Sequence, residues 1–227
     1  MKIGILQTGH APDEVKGDLG DYSDMFARLL DGHGFDFATF SVVDDEFPSG
    51  PEAADGWLIT GSKHGVYEDH AWIAPLEALI RAIRDAHRPL IGVCFGHQIV
   101  AQALGGKVEK FSGGWSVGPQ SYDFGGETLT LNAWHQDQVT ERPEGARVLA
   151  SSGFCENAAL AYGDTILTLQ PHPEFSAAML AGLIAHRAGG VLPPEVIADV
   201  NARLDTPLDA ARFADHMAAF FKRTATR

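Results

Sequence analysis

Two hydrophobic periods alternate along the first half of the chain. "KIGILQ" is an apolar run ended by "TGH" and a Gly/Asp-rich loop, which predicts a buried strand at the very start. In "YSDMFARLLDGHG", Met25, Phe26, Leu29 and Leu30 share one face of a helix that Gly32 and Gly34 end. "FDFATF" and "GWLITG" predict a second and a third strand. A helix follows in "AWIAPLEALIRAIRDAH", where Ile73, Leu76, Leu79, Ile80 and Ile83 recur at helical spacing, and "PLIGV" predicts a fourth strand. Strands alternating with helices imply right-handed crossovers and a mainly parallel sheet covered by helices on both faces.

The texture changes after Gly105-Gly106. "KVEKFSGGWSVGPQSYDF", "TLTLNAWH", "ARVLASS", "AALAYG" and "DTILTLQ" are short runs separated by turn residues, which predict hairpins and added antiparallel strands. Helical patterns near 176–187, 194–203 and 208–222 close the chain. In the last, Phe213, Met217, Phe220 and Phe221 form an apolar stripe, expected to pack in the core, with an oligomer contact as the alternative. Repeats and low-complexity linkers are lacking, so residues 1–227 are expected to form a single α/β domain with ligands at the carboxyl ends of its parallel strands.

Composition narrows the function. A net charge of −13 argues against nucleic-acid and anionic-membrane partners, because both require Lys and Arg in excess against phosphate. The expected partner is a small molecule or another protein. The N-terminal apolar run is too short for a signal peptide, and no stretch approaches the roughly 20 apolar residues of a membrane span. Two cysteines in dissimilar contexts give no disulfide framework and suit a reducing cytoplasm, the expected location.

One of the two, Cys94, stands between Gly92 and Gly96 where a strand turns into the helix of "FGHQIVAQALGG". This is the pattern of a nucleophile elbow, G-x-C-x-G, in which small residues let strand and helix approach across a strained turn. The helix N-terminus then favours a thiolate, and the Phe95 N–H is free to donate to an oxyanion. The competing reading is a small buried core residue. A thiolate needs a proton carrier. Of the ten histidines, most fall at helix ends or surfaces; His97 begins the helix after the elbow. The exception is "QPHPE", where Pro171 and Pro173 hold the backbone extended. Residues two apart then point the same way, so Glu174 is placed to accept from the ring of His172 and leave its other nitrogen for Cys94. A proline-rich exit turn with an exposed ion pair is the alternative. A metal site built from His172, Glu174 and "WHQDQ" lacks a compact ligand spacing such as H-E-x-x-H, so neither metal nor cofactor is expected.

"GVCFGHQ" together with "QPHPE", in this order, resembles the class I glutamine amidotransferase domain over Lys2 to about Phe175. The resemblance implies a flavodoxin-like α/β fold, and it is strongest to stand-alone members similar to the glutaminase domain of guanosine-monophosphate synthase and to the plant γ-glutamyl peptidases, which share "CFGHQ" and "WHQD". By that analogy Cys94 attacks the glutamine side-chain amide, and His172, oriented by Glu174, protonates the leaving ammonia. The oxyanion hole is implied at Phe95 and in the "ITGSKHGVYED" loop, around Gly61 and Ser62; Gly61-Ser62-Lys63 stands where the family has Gly-Gly-Pro. Gln98 matches the glutamine of the elbow motif, which helps to hold the substrate. His135 and Asp137, in "AWHQDQV", match the segment that binds the α-amino and α-carboxylate ends of glutamine. Trp115 belongs to a G-W-x-x-G element and is expected to be structural, as is Cys155.

Three functions follow as expectations. The first is a glutamine-hydrolysing subunit that hands ammonia to a separate synthetase or acceptor subunit, since no G-x-x-x-x-G-K-S/T loop occurs within the 227 residues. The second keeps the chemistry and takes a γ-glutamyl amide or peptide. The third is a non-catalytic regulatory protein, which an intact Cys94, His172 and Glu174 disfavours.

Overall fold

The computed structural model describes residues 1–225. Its strands are β1 (Lys2–Leu6), β2 (Asp36–Phe40), β3 (Gly56–Ile59), β4 (Leu90–Val93), β5 (Lys107–Lys110), β6 (Ser116–Asp123), β7 (Thr128–His135), β8 (Asp137–Glu141), β9 (Ala146–Ala150), β10 (Ala159–Tyr162) and β11 (Ile166–Leu169). Its helices are α1 (Asp13–Leu19), α2 (Tyr22–Leu29), α3 (Ile73–Asp85), α4 (Phe95–Ala103), α5 (Ala177–Arg187), α6 (Pro194–Ala202) and α7 (Ala210–Ala225).

The central sheet runs β2-β1-β3-β4-β11-β10-β9, parallel from β2 to β11 and antiparallel at β10 and β9. Every residue of β3, β4 and β11 is buried, as a strand covered on both faces requires. Alternation divides their side chains. Ile3, Ile5, Leu58, Ile91, Val93, Leu167 and Leu169 face a core completed by α2, α7 and the β6–β7 hairpin. Leu6, Trp57, Ile59, Leu90 and Ile166 face the other core, against α3 and α4. Phe213, Met217, Phe220 and Phe221 of α7 all lie in the first core, in agreement with the packing expected of that stripe.

The added strands form two separate two-stranded sheets, β5–β8 and β6–β7. Two elements differ from the sequence reading. The segment taken as a loop after β1 contains α1, a short helix whose Val15 is buried with Met179 and Leu183 of α5; tertiary packing stabilises it despite Gly17. "DQVTE" forms β8, a polar strand paired antiparallel to β5 with only Gln138 and Val139 buried. No helix among the described residues is long and apolar enough to cross a membrane.

Candidate active site

The strand order 2-1-3-4 brings the carboxyl ends of β1, β3, β4 and β11 to one edge of the sheet, where a flavodoxin-like order leaves a crevice. Cys94 follows β4 there with φ 52° and ψ −104°, a conformation that non-glycine residues rarely adopt. Two hydrogen bonds pin the turn: Cys94 N–H donates to the Leu169 carbonyl (2.8 Å) and Gly96 N–H to the Thr60 carbonyl (3.2 Å). Neither flanking position has room for a side chain. A Cβ on Gly92 would stand 2.5 Å from the Gly96 oxygen, and one on Gly96 would stand 2.4 Å from the Ile59 oxygen. The glycines therefore exist for the crossing of β4, α4 and β3, and the turn presents Cys94 to a cavity of about 530 Å³. Phe95 is the first residue of α4, so its N–H has no acceptor within the helix.

His172 reaches the same cavity from the end of β11. Its backbone N–H donates to the Asn132 carbonyl of β7 (2.8 Å), and the Phe175 ring lies parallel to the imidazole with centroids 4.0 Å apart. The main chain is thus tied to the hairpin while the ring stacks on Phe175. His172 Nδ1 lies 2.7 Å from Glu174 Oε1, and both side chains are buried. Burial opposes a charged imidazole, but the Glu174 carboxylate and the facing Cys94 side chain outweigh it and push the His172 pKa up to about 10. The ion pair between His172 and Glu174 is therefore interior, not an exposed pair on an exit turn.

Gly61 and Ser62 line the cavity at the end of β3. A Cβ on Gly61 would lie 2.8 Å from His172 Cε1 and 3.7 Å from the Cβ of Cys94, which puts this loop directly against both side chains. The Gly61 carbonyl points away, with the Thr60 and Thr8 hydroxyl oxygens 3.0 and 3.1 Å from it.

Gln98, His135 and Asp137 also line the cavity. The Gln98 amide nitrogen donates to the Asp137 carbonyl (2.9 Å) and to Gln170 Oε1 (3.1 Å), which fixes its orientation. Burial holds the His135 pKa down at about 3, so its ring is neutral at physiological pH. The Asp137 carboxylate accepts a hydrogen bond from the Tyr67 hydroxyl across the cavity mouth (3.0 Å). Trp115 packs edge-on against Trp134, and both line the cavity while adjoining the α5–α6 core, so Trp115 is wall as well as support. His97 stands in the first turn of α4, as expected, and is fully buried, 2.8 Å from Thr168 Oγ1, with its pKa lowered by burial to about 3. Cys155 is buried and its thiol is pushed up to about 12 by desolvation, which makes it a poor nucleophile.

The sequence reading did not find Tyr67, Lys63, Lys110, Trp134 or Arg187, all of which line the same cavity. Tyr67 and Lys63 lay within the loop quoted for its glycine, and Trp134 within "WHQD", quoted for His135 and Asp137; Lys110 and Arg187 come from segments with no motif, and only folding brings them together.

The family model for glutamine amidotransferase class-I matches residues 39–181. γ-Glutamyl peptidase 4 of Arabidopsis thaliana is 36% identical over 187 residues, 75% of this chain and 74% of that protein. A Leptospira interrogans protein described as "Probable GMP synthase" is 30% identical over 172 residues, 69% of this chain and 27% of that one. In shape, the chain is similar to a solved glutamine amidotransferase from Methylobacillus flagellatus, with a TM-score of 0.77 at 22% identity over 99% of this chain and 94% of the other.

Proposed function

The chain belongs to the class I glutamine amidotransferase family, and from that premise we propose that it is a cysteine-dependent hydrolase of γ-glutamyl amide bonds. The observation that carries this reading is Cys94 on a strained strand-to-helix turn, facing a His172 ring whose far nitrogen is held by Glu174.

In this mechanism the Cys94 sulfur attacks the γ-carbonyl carbon and the carbonyl π electrons move onto oxygen. Two amides receive the oxyanion: Phe95 N–H at the start of α4, and Ser62 N–H. The second assignment follows from peptide planarity. A trans peptide sets the Ser62 N–H opposite to the Gly61 carbonyl, and that carbonyl is turned toward Thr8 and Thr60. This orientation supports the Ser62 N–H as the donor of this loop. The His172 imidazolium then protonates the leaving nitrogen as the C–N bond breaks, leaving a γ-glutamyl thioester. Neutral His172 next takes a proton from water, whose oxygen attacks the thioester; the C–S bond breaks and the carboxylate product leaves. Glu174 keeps Nδ1 protonated throughout.

Size favours a substrate larger than glutamine. The cavity of about 530 Å³ is lined also by Trp115, Trp134, Arg187 and Val191, and it falls within the range of about 300–1,000 Å³ that suits drug-sized ligands. A γ-glutamyl di- or tripeptide uses that space, with its γ-glutamyl end at Gln98, His135 and Asp137. The second reading is hydrolysis of glutamine itself, with ammonia passed to an acceptor subunit; the match to the Leptospira protein favours it.

Glutamate release from glutamine and from a panel of γ-glutamyl peptides separates the two. We expect turnover of the peptides, a γ-glutamyl adduct on Cys94 in the intact mass, and loss of more than about 10³-fold activity in Cys94→Ser. Turnover of glutamine alone selects the second reading. Turnover of neither, with Cys94 alkylated no faster than a model thiol, removes both.

A further inference from the structure

The loop that carries Ser62 continues into a second cluster, which the proposed chemistry does not use. Among the described residues, His64, Glu68 and His70 each offer one ligand atom, and the three atoms lie within 4.8 Å of one another. Glu68 Oε2 is the hub, 3.3 Å from His64 Nδ1 and 2.7 Å from His70 Nε2. Ligand atoms around a tetrahedral zinc ion, with bonds of about 2.0–2.2 Å, stand about 3.3 Å apart, so the cluster is close to a coordinating arrangement as it is.

The rings are also held. His70 lies parallel to the Trp72 indole at 11° and 5.8 Å, and His64 meets His70 edge-on with centroids 4.3 Å apart. Trp72 is buried and itself packs against Phe95 at 5.5 Å, so the orientation of His70 is fixed from the core outward. The turn is tied by Glu68 N–H to the Gly65 carbonyl and His70 N–H to the Glu68 carbonyl. All three side chains retain access to solvent, between 21% and 44% exposed, which leaves an entry path. His64 and Glu68 also line the cavity.

We propose that His64, Glu68 and His70 form a binding site for a divalent transition-metal ion of the zinc class, separate from Cys94. Two imidazoles and one carboxylate suit zinc, nickel or copper, whereas magnesium and calcium require an oxygen shell that this cluster does not supply. A bound ion ties residues 64 to 70 into one rigid turn. It thereby fixes the position of the adjacent Ser62 amide and, through Trp72, that of Phe95.

The test uses untagged, chelator-treated full-length protein in the Cys94→Ser background, so that the thiolate cannot serve as a ligand. Isothermal titration with zinc is expected to give about one equivalent bound with micromolar affinity, and a cobalt titration to give the visible absorption of a low-coordinate site. Glu68→Gln, which keeps the shape of the turn, and His70→Ala are each expected to weaken zinc by at least about 10-fold. Less than about a tenth of an equivalent bound at 100 μM zinc, unchanged affinity in the His64→Ala/His70→Ala double variant, or magnesium binding as tightly as zinc would each overturn the proposal.

Discussion

Cys94 keeps a φ of 52° because the residues around it leave no alternative, and a strained backbone of this kind costs on the order of 1–3 kcal/mol. Hydrogen bonds to Leu169 and Thr60 hold the turn in that conformation, and the absence of side chains at 92 and 96 removes the obstacles to it. Gly61 plays the corresponding part for His172. Any side chain there drives into His172 Cε1, so Gly61→Ala is expected to leave the fold intact and to cut kcat by at least about 10²-fold, as misplacement of a catalytic group by an ångström does. Steady-state kinetics beside a thermal melt decide it. A variant with wild-type kcat would mean that the His172 ring does not need its present position.

Among the elements, α2 shows how a helix end shapes the site wall. Asp21 caps it, accepting from the N–H groups of Tyr22 (2.9 Å) and Ala11 (2.8 Å), and pairs with Lys16 Nζ and His10 Nδ1, each 2.7 Å away. Asp24 returns the favour by accepting from Asp21 N–H at 2.8 Å, which completes a capping box. Burial raises the carboxyl pKa, but Lys16, the Ala11 and Tyr22 amides and His10 outweigh it and bring the value down to about 2. A depressed folded-state pKa adds stability that is fully present above the unfolded value near 4 and is lost as the pH falls toward 2. After allowance for solvent screening, that contribution is about 1–2 kcal/mol. Asp21→Asn should therefore lose about that much at pH 6, with the gap to wild type closing between pH 4 and pH 2 in urea unfolding. A gap independent of pH would show that the carboxylate charge is not what matters. The same scale explains the two elements the sequence concealed. α1 owes its helix to α5, and β8 owes its strand to β5, so neither window contains the partner that makes it regular.

Across the whole molecule, two cores sandwich one sheet, and α7 closes the first of them. Phe221 is fully buried there, edge-on to Phe35 at 5.8 Å. Phe221→Ala should cost about 3–5 kcal/mol in urea unfolding, the usual range for a large aromatic removed from a packed interior. A loss below about 1 kcal/mol would mean that this stripe is not core and would revive the oligomer contact as its purpose. Placing the antiparallel additions β5–β8 and β6–β7 at the carboxyl edge also has a functional result. They supply the Asn132 carbonyl that accepts from the His172 backbone N–H, and the cavity wall of Trp134, His135 and Asp137.

The amino-acid sequence by itself determined the parallel sheet, its covering helices, the elbow at Cys94 and the alignment of His172 with Glu174. Each of these is a local property: a period of 2 or 3.6, a strand-to-helix turn that excludes side chains, or a proline-locked extended pair. Local pattern also named the loop at Gly61 and Ser62, but not how its peptide groups are turned. Only the tertiary structure directs the Gly61 carbonyl to the Thr8 hydroxyl, 53 residues away in sequence. It likewise decided that Tyr67 meets Asp137 across 70 residues, that His97 is interior, and that Trp72 aligns His70 beside His64 and Glu68. These relations arise where segments without any shared motif are brought together by burying two hydrophobic faces of one sheet, and no window of sequence contains both partners.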